Sequence, residues 1–232
     1  MAKENLSIPF TLVRRKGQKH INIRVHHDGQ VTVSAPVHTS DARVNEAVTI
    51  KATWIRSHVN RVKEKISCVD ELSEFPLGGA PHTVVIEYDP NRRGHIRLDE
   101  SEQCIYMRTN TVNRRSRIDA MVRFLKRYCA EVITQELHRV SKPMRIEISR
   151  VFYRNQKTRW GSSSAKGNIS LNFRVAMLPP EVRRYLLLHE LVHQKHMNHS
   201  VSFWKHMQKV CPDYLESDRW LKEHSYYLGL FR

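Results

Sequence analysis

The 232-residue sequence contains no apolar run close to the ~20 residues that a membrane-spanning helix requires. Its first residues also lack a charged segment followed by an apolar one, the arrangement of a secretion signal. Cysteine is scarce, and the four cysteines form no C-x-x-C pair, which argues against a disulfide framework and for free thiols. We therefore expect a cytoplasmic protein without a membrane partner.

Glycine and proline are scarce too, with 8 and 9 residues, while hydrophobic residues make up 40% of the chain. This composition is typical of a globular protein and not of a disordered one. The length suits one large domain or two small ones. Nothing in the composition indicates the oligomeric state.

Acidic residues are few relative to basic ones: 23 Asp and Glu stand against 39 Lys and Arg, for a formal net charge of +16. Such an excess favours polyanionic partners, namely nucleic acid, nucleotides or acidic protein segments. The alternative is that the charge serves solubility only. Charge alone does not decide between these interpretations.

One pentad carries recognisable chemistry: His189-Glu190-Leu191-Val192-His193, with His199 six residues further on. On a helix the two pentad histidines share a face, where two imidazoles can bind Zn²⁺. Glu190 is offset by one residue, within reach of a water molecule on the metal, as in the H-E-x-x-H zinc hydrolases. A third ligand would leave a fourth position open, and His199 is the candidate. We predict one Zn²⁺ bound by His189, His193 and His199, with Glu190 as general base.

The residues around the pentad predict a buried helix that ends soon after it. Pro179-Pro180-Glu181 is a typical helix start, and residues 182–192 are apolar on almost every side. Asn198 tolerates the left-handed conformation that ends helices, which would let the chain turn back. We expect His196 and His206 to lie on the surface or behind the ligands, because a fourth histidine would close the site.

Residues 1–110 predict a β-rich region with one long helix. Apolar and polar residues alternate on both sides of Asp28-Gly29, a tight-hairpin signal, and again between residues 82 and 108. A helical pattern begins at Ser40 and runs to Ile66. Leu77-Gly78-Gly79 lacks the rest of a phosphate-loop motif and indicates a turn.

From about residue 112 the apolar spacing becomes helical, so we place a domain boundary near residue 110. Residues 111–232 then form the predicted metallohydrolase domain. The combination of a β-rich half with a half that mixes helices and strands predicts the α+β fold class.

A basic polar loop, residues 156–164, lies upstream of the pentad between two predicted strands. In zinc peptidases a strand edge near the metal can bind an extended peptide by β-augmentation, and the predicted strand at 169–173 is suitably placed. We expect four residues of this region to bind substrate: Lys157, Arg159, Trp160 and Asn172.

The chain combines His189-Glu190-x-x-His193 with Asn198-His199-Ser200 and Phe203-Trp204, and Lys157-Thr158-Arg159-Trp160-Gly161-Ser162 upstream. This combination resembles the YgjP-like family of predicted metal-dependent hydrolases, which is similar to the SprT-like and WLM metallopeptidases. The resemblance covers nearly the whole chain. It implies a zincin-like catalytic half, a β-rich amino-terminal half, zinc on the three histidines and Glu190 as the catalytic group. One departure is Ser163, where the family motif usually has cysteine, and this argues against chemistry that needs a thiol.

Three functions are compatible with these features. The first is a zinc metallopeptidase, in which Glu190 transfers a proton from water to the leaving amine and a further donor stabilises the oxyanion. The candidates for that donor are Arg159, Tyr153 and Tyr226.

The second function is a metal-dependent nucleotide phosphohydrolase of the nucleoside triphosphate pyrophosphatase type, favoured by cations that flank the predicted cleft in sequence. These are Arg150, Arg154, Lys157, Arg159, Lys166 and Arg174. The third is a nucleic-acid-associated protein with a structural zinc, which needs a fourth ligand such as His196. We favour the peptidase, because phosphoryl transfer more often uses carboxylate-rich Mg²⁺ sites and no nucleic-acid-binding motif is recognisable.

Overall fold

The computed structural model describes residues 8–26, 29–70 and 73–231, with side chains for all of these except 64–70. The chain divides into two compact units, Met1–Ser67 and Cys68–Arg232. This division lies well before residue 110, and a domain boundary at 110 remains a prediction. Each unit mixes helices and strands, as the α+β class requires.

The first unit contains a three-stranded sheet of β1 (Thr11–Arg15), β2 (Asn22–Val25) and β3 (Val31–Pro36). The central strand is β3, which pairs in parallel with β1 and antiparallel with β2. The antiparallel β2–β3 pair agrees with the predicted alternation. Asp28, half of the hairpin signal between these strands, lies outside the described residues.

Two helices follow this sheet, α1 (Asp41–Ile50) and α2 (Ala52–Asp70). Ser40 begins α1, and its side chain accepts a hydrogen bond from the backbone N–H of Arg43. The prediction of one long helix was wrong at Lys51, whose φ of −95° and ψ of 6° depart from helical values. The buried core of this unit comprises Val31, Val33, Ala35, Val44, Val48 and Ile55.

The second unit begins with a four-stranded sheet of β4 (Glu74–Leu77), β5 (Ala80–Tyr88), β6 (His95–Asp99) and β7 (Cys104–Thr109). The strand order is β4-β5-β7-β6; β5 and β7 are parallel, and the outer pairs are antiparallel. The parallel pair arises because the chain crosses from β5 to β6 at the far edge and returns through β7.

The turn between β4 and β5 is the predicted diglycine turn. Gly78 and Gly79 have φ values of 60° and 81°, which favour glycine. Their backbone N–H groups donate to the carbonyls of Ala176 (2.7 Å) and Met177 (3.1 Å). A Cβ at Gly79 would lie 2.7 Å from Cα of Pro179. The turn therefore packs directly on the segment that leads into the pentad helix.

A long helical stretch follows, composed of α3 (Arg114–Tyr128), a π-helical turn (Cys129–Ile133) and α4 (Thr134–Met144). It ends at Arg145, which has a left-handed φ of 52°. A three-stranded sheet comes next, with β8 (Arg150–Arg154), β9 (Gly161–Ser163) and β10 (Asn168–Asn172) in the order β8-β10-β9.

The position of β10 corrects one expectation. This strand pairs with β8 on one side and with β9 on the other, so both of its edges are occupied. A peptide cannot be added to it. The strand at the edge of this sheet beside the pentad helix is the short β9.

Three helices complete the described chain: α5 (Pro180–Val192), α6 (Val201–Val210) and α7 (Tyr214–Glu223), followed by a 3₁₀ turn at Ser225–Gly229. Helix α5 is nearly surrounded, with Val182, Tyr185, Leu187 and Leu191 at most 2% exposed. Within the described residues, no helix is both long and apolar enough to cross a membrane.

Candidate metal centre

The pentad lies at the end of α5. His189 and Glu190 are in its last turn, and His193 is the residue at which the helix ends. The chain then turns through residues 193–198 and reaches His199 just before α6. Pro180 occupies the first helical turn, as the sequence predicted.

The three histidines converge. Each of His189, His193 and His199 offers one ring nitrogen, and these nitrogens all lie within 4.8 Å of one another. The Nε2 atoms of His189 and His199 are 3.1 Å apart. Two nitrogens at ~2.05 Å from one tetrahedral ion would be about 3.3 Å apart, so the geometry fits a zinc-sized cation. His199 is exposed, which leaves the cluster accessible from solvent.

In His189 and His193, the ring nitrogen Nδ1 has a hydrogen-bond partner that orients the ring. Nδ1 of His193 lies 3.0 Å from the carbonyl oxygen of His196. Nδ1 of His189 lies 3.4 Å from the hydroxyl of Tyr185, which in turn donates to Asp218 Oδ1 at 3.3 Å. An Nδ1–H that donates away from the cluster leaves Nε2 as the free acceptor that a metal requires.

Burial favours the neutral form of these rings. It lowers the pKa of His189 to about 4, with the neighbouring His193 and His199 adding to the shift. Burial also lowers the pKa of His193. Phe203, a fully buried residue of α6, lies beneath the cluster with its ring centroid 4.6–5.0 Å from those of all three histidines. Neutral imidazoles are the form that binds metal ions.

Glu190 is the buried acid beside the cluster. It is 4% exposed, and its Oε2 has no hydrogen-bond partner among the described residues. Burial raises the pKa of Glu190 to about 8, and the positive charge of Arg159 opposes that rise. A buried carboxyl oxygen without a partner is unfavourable, unless a water molecule or ligand satisfies it.

A cleft of about 340 Å³ opens onto His189 and Glu190. It is lined by Thr158, Arg159, Trp160 and Gly161 from the upstream loop, by Tyr185 and Leu186 from α5, and by Asp218, Leu221, Lys222, Ser225 and Leu228. The structure thus brings Arg159 and Trp160 to the site, two of the four residues expected to bind substrate.

The other two expected substrate residues lie elsewhere. Lys157 is exposed and is not among the residues that line the cleft. Asn172 is fully buried, and its side-chain amide donates to the backbone carbonyls of Gln156 (2.8 Å) and Arg159 (3.3 Å). Asn172 therefore supports the loop behind the cleft rather than facing it.

The cations that favoured a phosphate substrate are mostly absent from the cleft. Of the six, only Arg159 lines it, and Arg174 is fully buried. The other basic residue of the cleft, Lys222, pairs with Asp218 at 2.5 Å. Of the three oxyanion candidates, too, only Arg159 lines the cleft; the hydroxyl of Tyr153 is 3.0 Å from Thr134.

A closed structural site is not supported by the described residues. The cluster there comprises three histidines, and His196 is not one of them. The ring of His196 instead packs edge-on against His206, with centroids 5.3 Å apart. Its contact with the cluster is through its backbone carbonyl, which lies 3.0 Å from Nδ1 of His193. The donor set is that of a site with an open position.

Sequence reasoning missed Tyr185, Asp218 and Gly161. Tyr185 reads as one more core residue of α5, and Asp218 is 29 positions beyond His189, so nothing local links them. Gly161 belongs to the upstream motif, but the motif alone does not predict that Gly161 packs against Glu190.

Comparisons with known proteins identify the chain as a metallopeptidase at the level of its family. The sequence model of the YgjP-like family, described as a metallopeptidase domain, matches residues 19–224, and the chain therefore belongs to that family. This membership implies a bound metal ion. Among solved structures, the metallopeptidase zymogen of Pyrococcus abyssi abylysin is 30% identical, with 40% of this chain and 94% of that chain covered and a TM-score of 0.36. A search of curated proteins gave no match.

Proposed function

We propose that this protein is a zinc-dependent metallopeptidase whose single Zn²⁺ is held by His189, His193 and His199 in a zincin-like arrangement. The observation that carries the proposal is the position of Glu190. Its carboxyl is buried, and its Oε2 has no hydrogen-bond partner among the described residues. Glu190 lines the same cleft as His189, one of the three residues whose ring nitrogens converge. All of these residues lie within 111–232, the range expected to form the catalytic domain.

A zinc ion in this site would supply Lewis-acid polarisation of the peptide carbonyl and an acidified water molecule. With the metal bound, Glu190 would accept a proton from water and return it to the leaving amine. Arg159, the arginine of the cleft, is the candidate that stabilises negative charge on the tetrahedral oxygen.

The substrate-binding strand in this proposal is β9. It is an edge strand and begins with Gly161 against Glu190. An extended peptide that pairs with its outer edge would lie beside the catalytic carboxyl. Trp160 and Leu221 provide apolar surface in the same cleft for a side chain of that peptide.

The test measures metal content and cleavage together. Purified protein is analysed for bound metals and then incubated with unfolded casein, with and without a chelator, and Glu190→Gln serves as the control. We expect one zinc per chain, chelator-sensitive cleavage, and a loss of about 10³-fold in the variant with zinc retained. Nucleoside triphosphates and single-stranded DNA are offered in parallel. If the wild type hydrolyses triphosphates but not casein, and Glu190→Gln loses that activity, the phosphohydrolase function is favoured over the peptidase.

A further inference from the structure

Arg174 is a fully buried arginine in the 3₁₀ turn that follows β10. Its guanidinium donates in two directions. Nη1 donates to Asn155 Oδ1 (2.8 Å) and Asn172 Oδ1 (3.1 Å), and Nε donates to the backbone carbonyl of Leu230 at 3.1 Å, which also accepts from Nη2. One buried cation therefore joins two distant segments of the chain.

The first segment is the loop between β8 and β9. Asn155 lies at its start, and Asn172 binds the rest of it. The backbone N–H of Asn172 donates to the carbonyl of Trp160 at 2.7 Å, and its side chain donates to the carbonyls of Gln156 and Arg159. The loop that presents Arg159, Trp160 and Gly161 to the cleft is thus held at four points by Arg174 and Asn172.

The second segment is the 3₁₀ turn at Ser225–Gly229 and the two residues after it. Ser225 and Leu228 line the cleft, and the ring of Tyr227 packs edge-on against Trp160 with centroids 6.4 Å apart. Phe231 is buried between Phe75 and Phe173, at centroid distances of 5.8 and 6.2 Å. This segment is therefore fixed in the core at one end and borders the cleft at the other.

We propose that Arg174 is a positioning residue that fixes these two cleft-lining segments relative to each other and so sets the shape in which substrate is bound. The inference rests on the proposed peptidase function. Arg174 does not line the cleft, so it acts only through the loop and the 225–231 segment.

The geometry needs arginine rather than any cation. A planar guanidinium offers five N–H donors in a fixed fork, and here the fork serves two asparagine oxygens on one side and a carbonyl on the other. A lysine ammonium retains the charge but cannot reach both sides at once. Replacing Arg174 by lysine would therefore leave buried carbonyl or amide oxygens without a donor.

The experiment uses the full chain loaded with zinc and compares the wild type with Arg174→Lys. Trypsin cleavage after Lys157 and Arg159, followed by mass spectrometry under single-cut conditions, reports the freedom of the loop. Peptide turnover gives kcat and KM separately. We expect cleavage of both loop bonds to accelerate about 10-fold, which corresponds to the loss of one to two hydrogen bonds. KM should rise by a similar factor, and zinc content should not change.

Asn155→Ala is the second variant, because it removes the loop-side acceptor at an exposed position and leaves the core intact. It should also raise the rate of loop cleavage and KM, but by a smaller factor than Arg174→Lys. Asn110→Ala, an exposed asparagine that does not line this cleft, is the matched control and should match the wild type. If Arg174→Lys folds poorly, Asn155→Ala decides the question.

The proposal is overturned if folded Arg174→Lys shows the loop-cleavage rate and KM of the wild type. Where Arg174→Lys does not fold, the same result in Asn155→Ala overturns it. If the wild type cleaves no peptide, the proposed function fails. The loop-cleavage ratio then still decides whether Arg174 holds the loop, so the two failures are distinguishable.

Discussion

The carboxyl group of Glu190 packs against Gly161 so closely that a Cβ at Gly161 would lie 2.8 Å from its Cδ. The backbone of Gly161 is not left-handed, so the requirement for glycine is one of space. The first residue of the edge strand β9 and the Glu190 carboxyl are therefore direct neighbours. This contact gives a physical reason for glycine after Trp160, where the sequence alone showed only a motif.

Gly161→Ala should displace the Glu190 carboxylate while the three histidines stay in place. We expect peptide cleavage to fall by about 10²-fold, because a misplaced general base loses most of its contribution. Zinc content measured in the same preparation should remain at the wild-type level. Gly94→Ala is the control, since its Cβ would approach no atom more closely than the Arg108 carbonyl oxygen, at 3.4 Å. Full activity in Gly161→Ala would contradict the proposed role of this contact.

The sequence predicted the parts of the site that local spacing controls. Two histidines four residues apart on a helix must share a face, and a helix that ends at His193 lets His199 turn back. The diglycine turn and the β2–β3 pairing were predicted for the same reason, since turn chemistry acts over a few residues.

The parts that local spacing does not control were missed or misplaced. Arg174 was counted among the cations that flank the cleft, yet it is buried, because carbonyl and amide oxygens from residues 155, 172 and 230 satisfy it. The central position of β10 depends on a parallel pairing with β8, and the strand alone does not specify its partners. Lys51 interrupts a helical pattern that is otherwise continuous in the sequence.

His199→Ala should abolish tight zinc binding, whereas His196→Ala should not. The ring of His199 lies in the cluster, but His196 contributes only a backbone carbonyl, which alanine also provides. Zinc competition against a chromogenic chelator measures both affinities. We expect a weakening of at least about 100-fold for His199→Ala and less than about threefold for His196→Ala. The opposite order would show that the metal is held by other ligands.

Tyr185→Phe should weaken zinc binding, because it removes the hydroxyl that connects Nδ1 of His189 to Asp218. Loss of such an orienting partner typically costs about 10-fold or more in metal affinity. Asp218→Asn should act in the same direction. Tyr214→Phe is the control: its ring stacks on Tyr185 at 6.5 Å, and its hydroxyl is not part of this chain of hydrogen bonds. Equal affinities of Tyr185→Phe and Tyr214→Phe would rule out the orienting role.

The pH dependence of stability in metal-free protein should separate Glu190 from its neighbours. Burial raises the folded-state pKa of Glu190 from 4.5 to about 8. The contribution of Glu190 to the free energy of unfolding is therefore full below pH 4.5 and is lost as the pH rises through 8. Burial lowers the folded-state pKa of His189 from 6.5 to about 4. The contribution of His189 to the free energy of unfolding is therefore present above pH 6.5 and is lost as the pH falls through 4. Between pH 4.5 and 6.5, Glu190 makes the free energy of unfolding fall with rising pH while His189 makes it rise. Above pH 6.5 the effect of Glu190 should dominate.

Metal-free wild type should therefore lose stability between pH 6.5 and 8, with a slope of up to about 1.4 kcal/mol per pH unit. Glu190→Gln cannot ionise at this position and should lack that slope. Urea unfolding in the presence of a chelator, repeated at half-unit steps of pH, gives the free energy of unfolding of both proteins. The difference between variant and wild type should grow steadily from pH 4.5 to 8. A difference that is flat across this range would mean that Glu190 ionises as freely in the folded protein as in the unfolded chain.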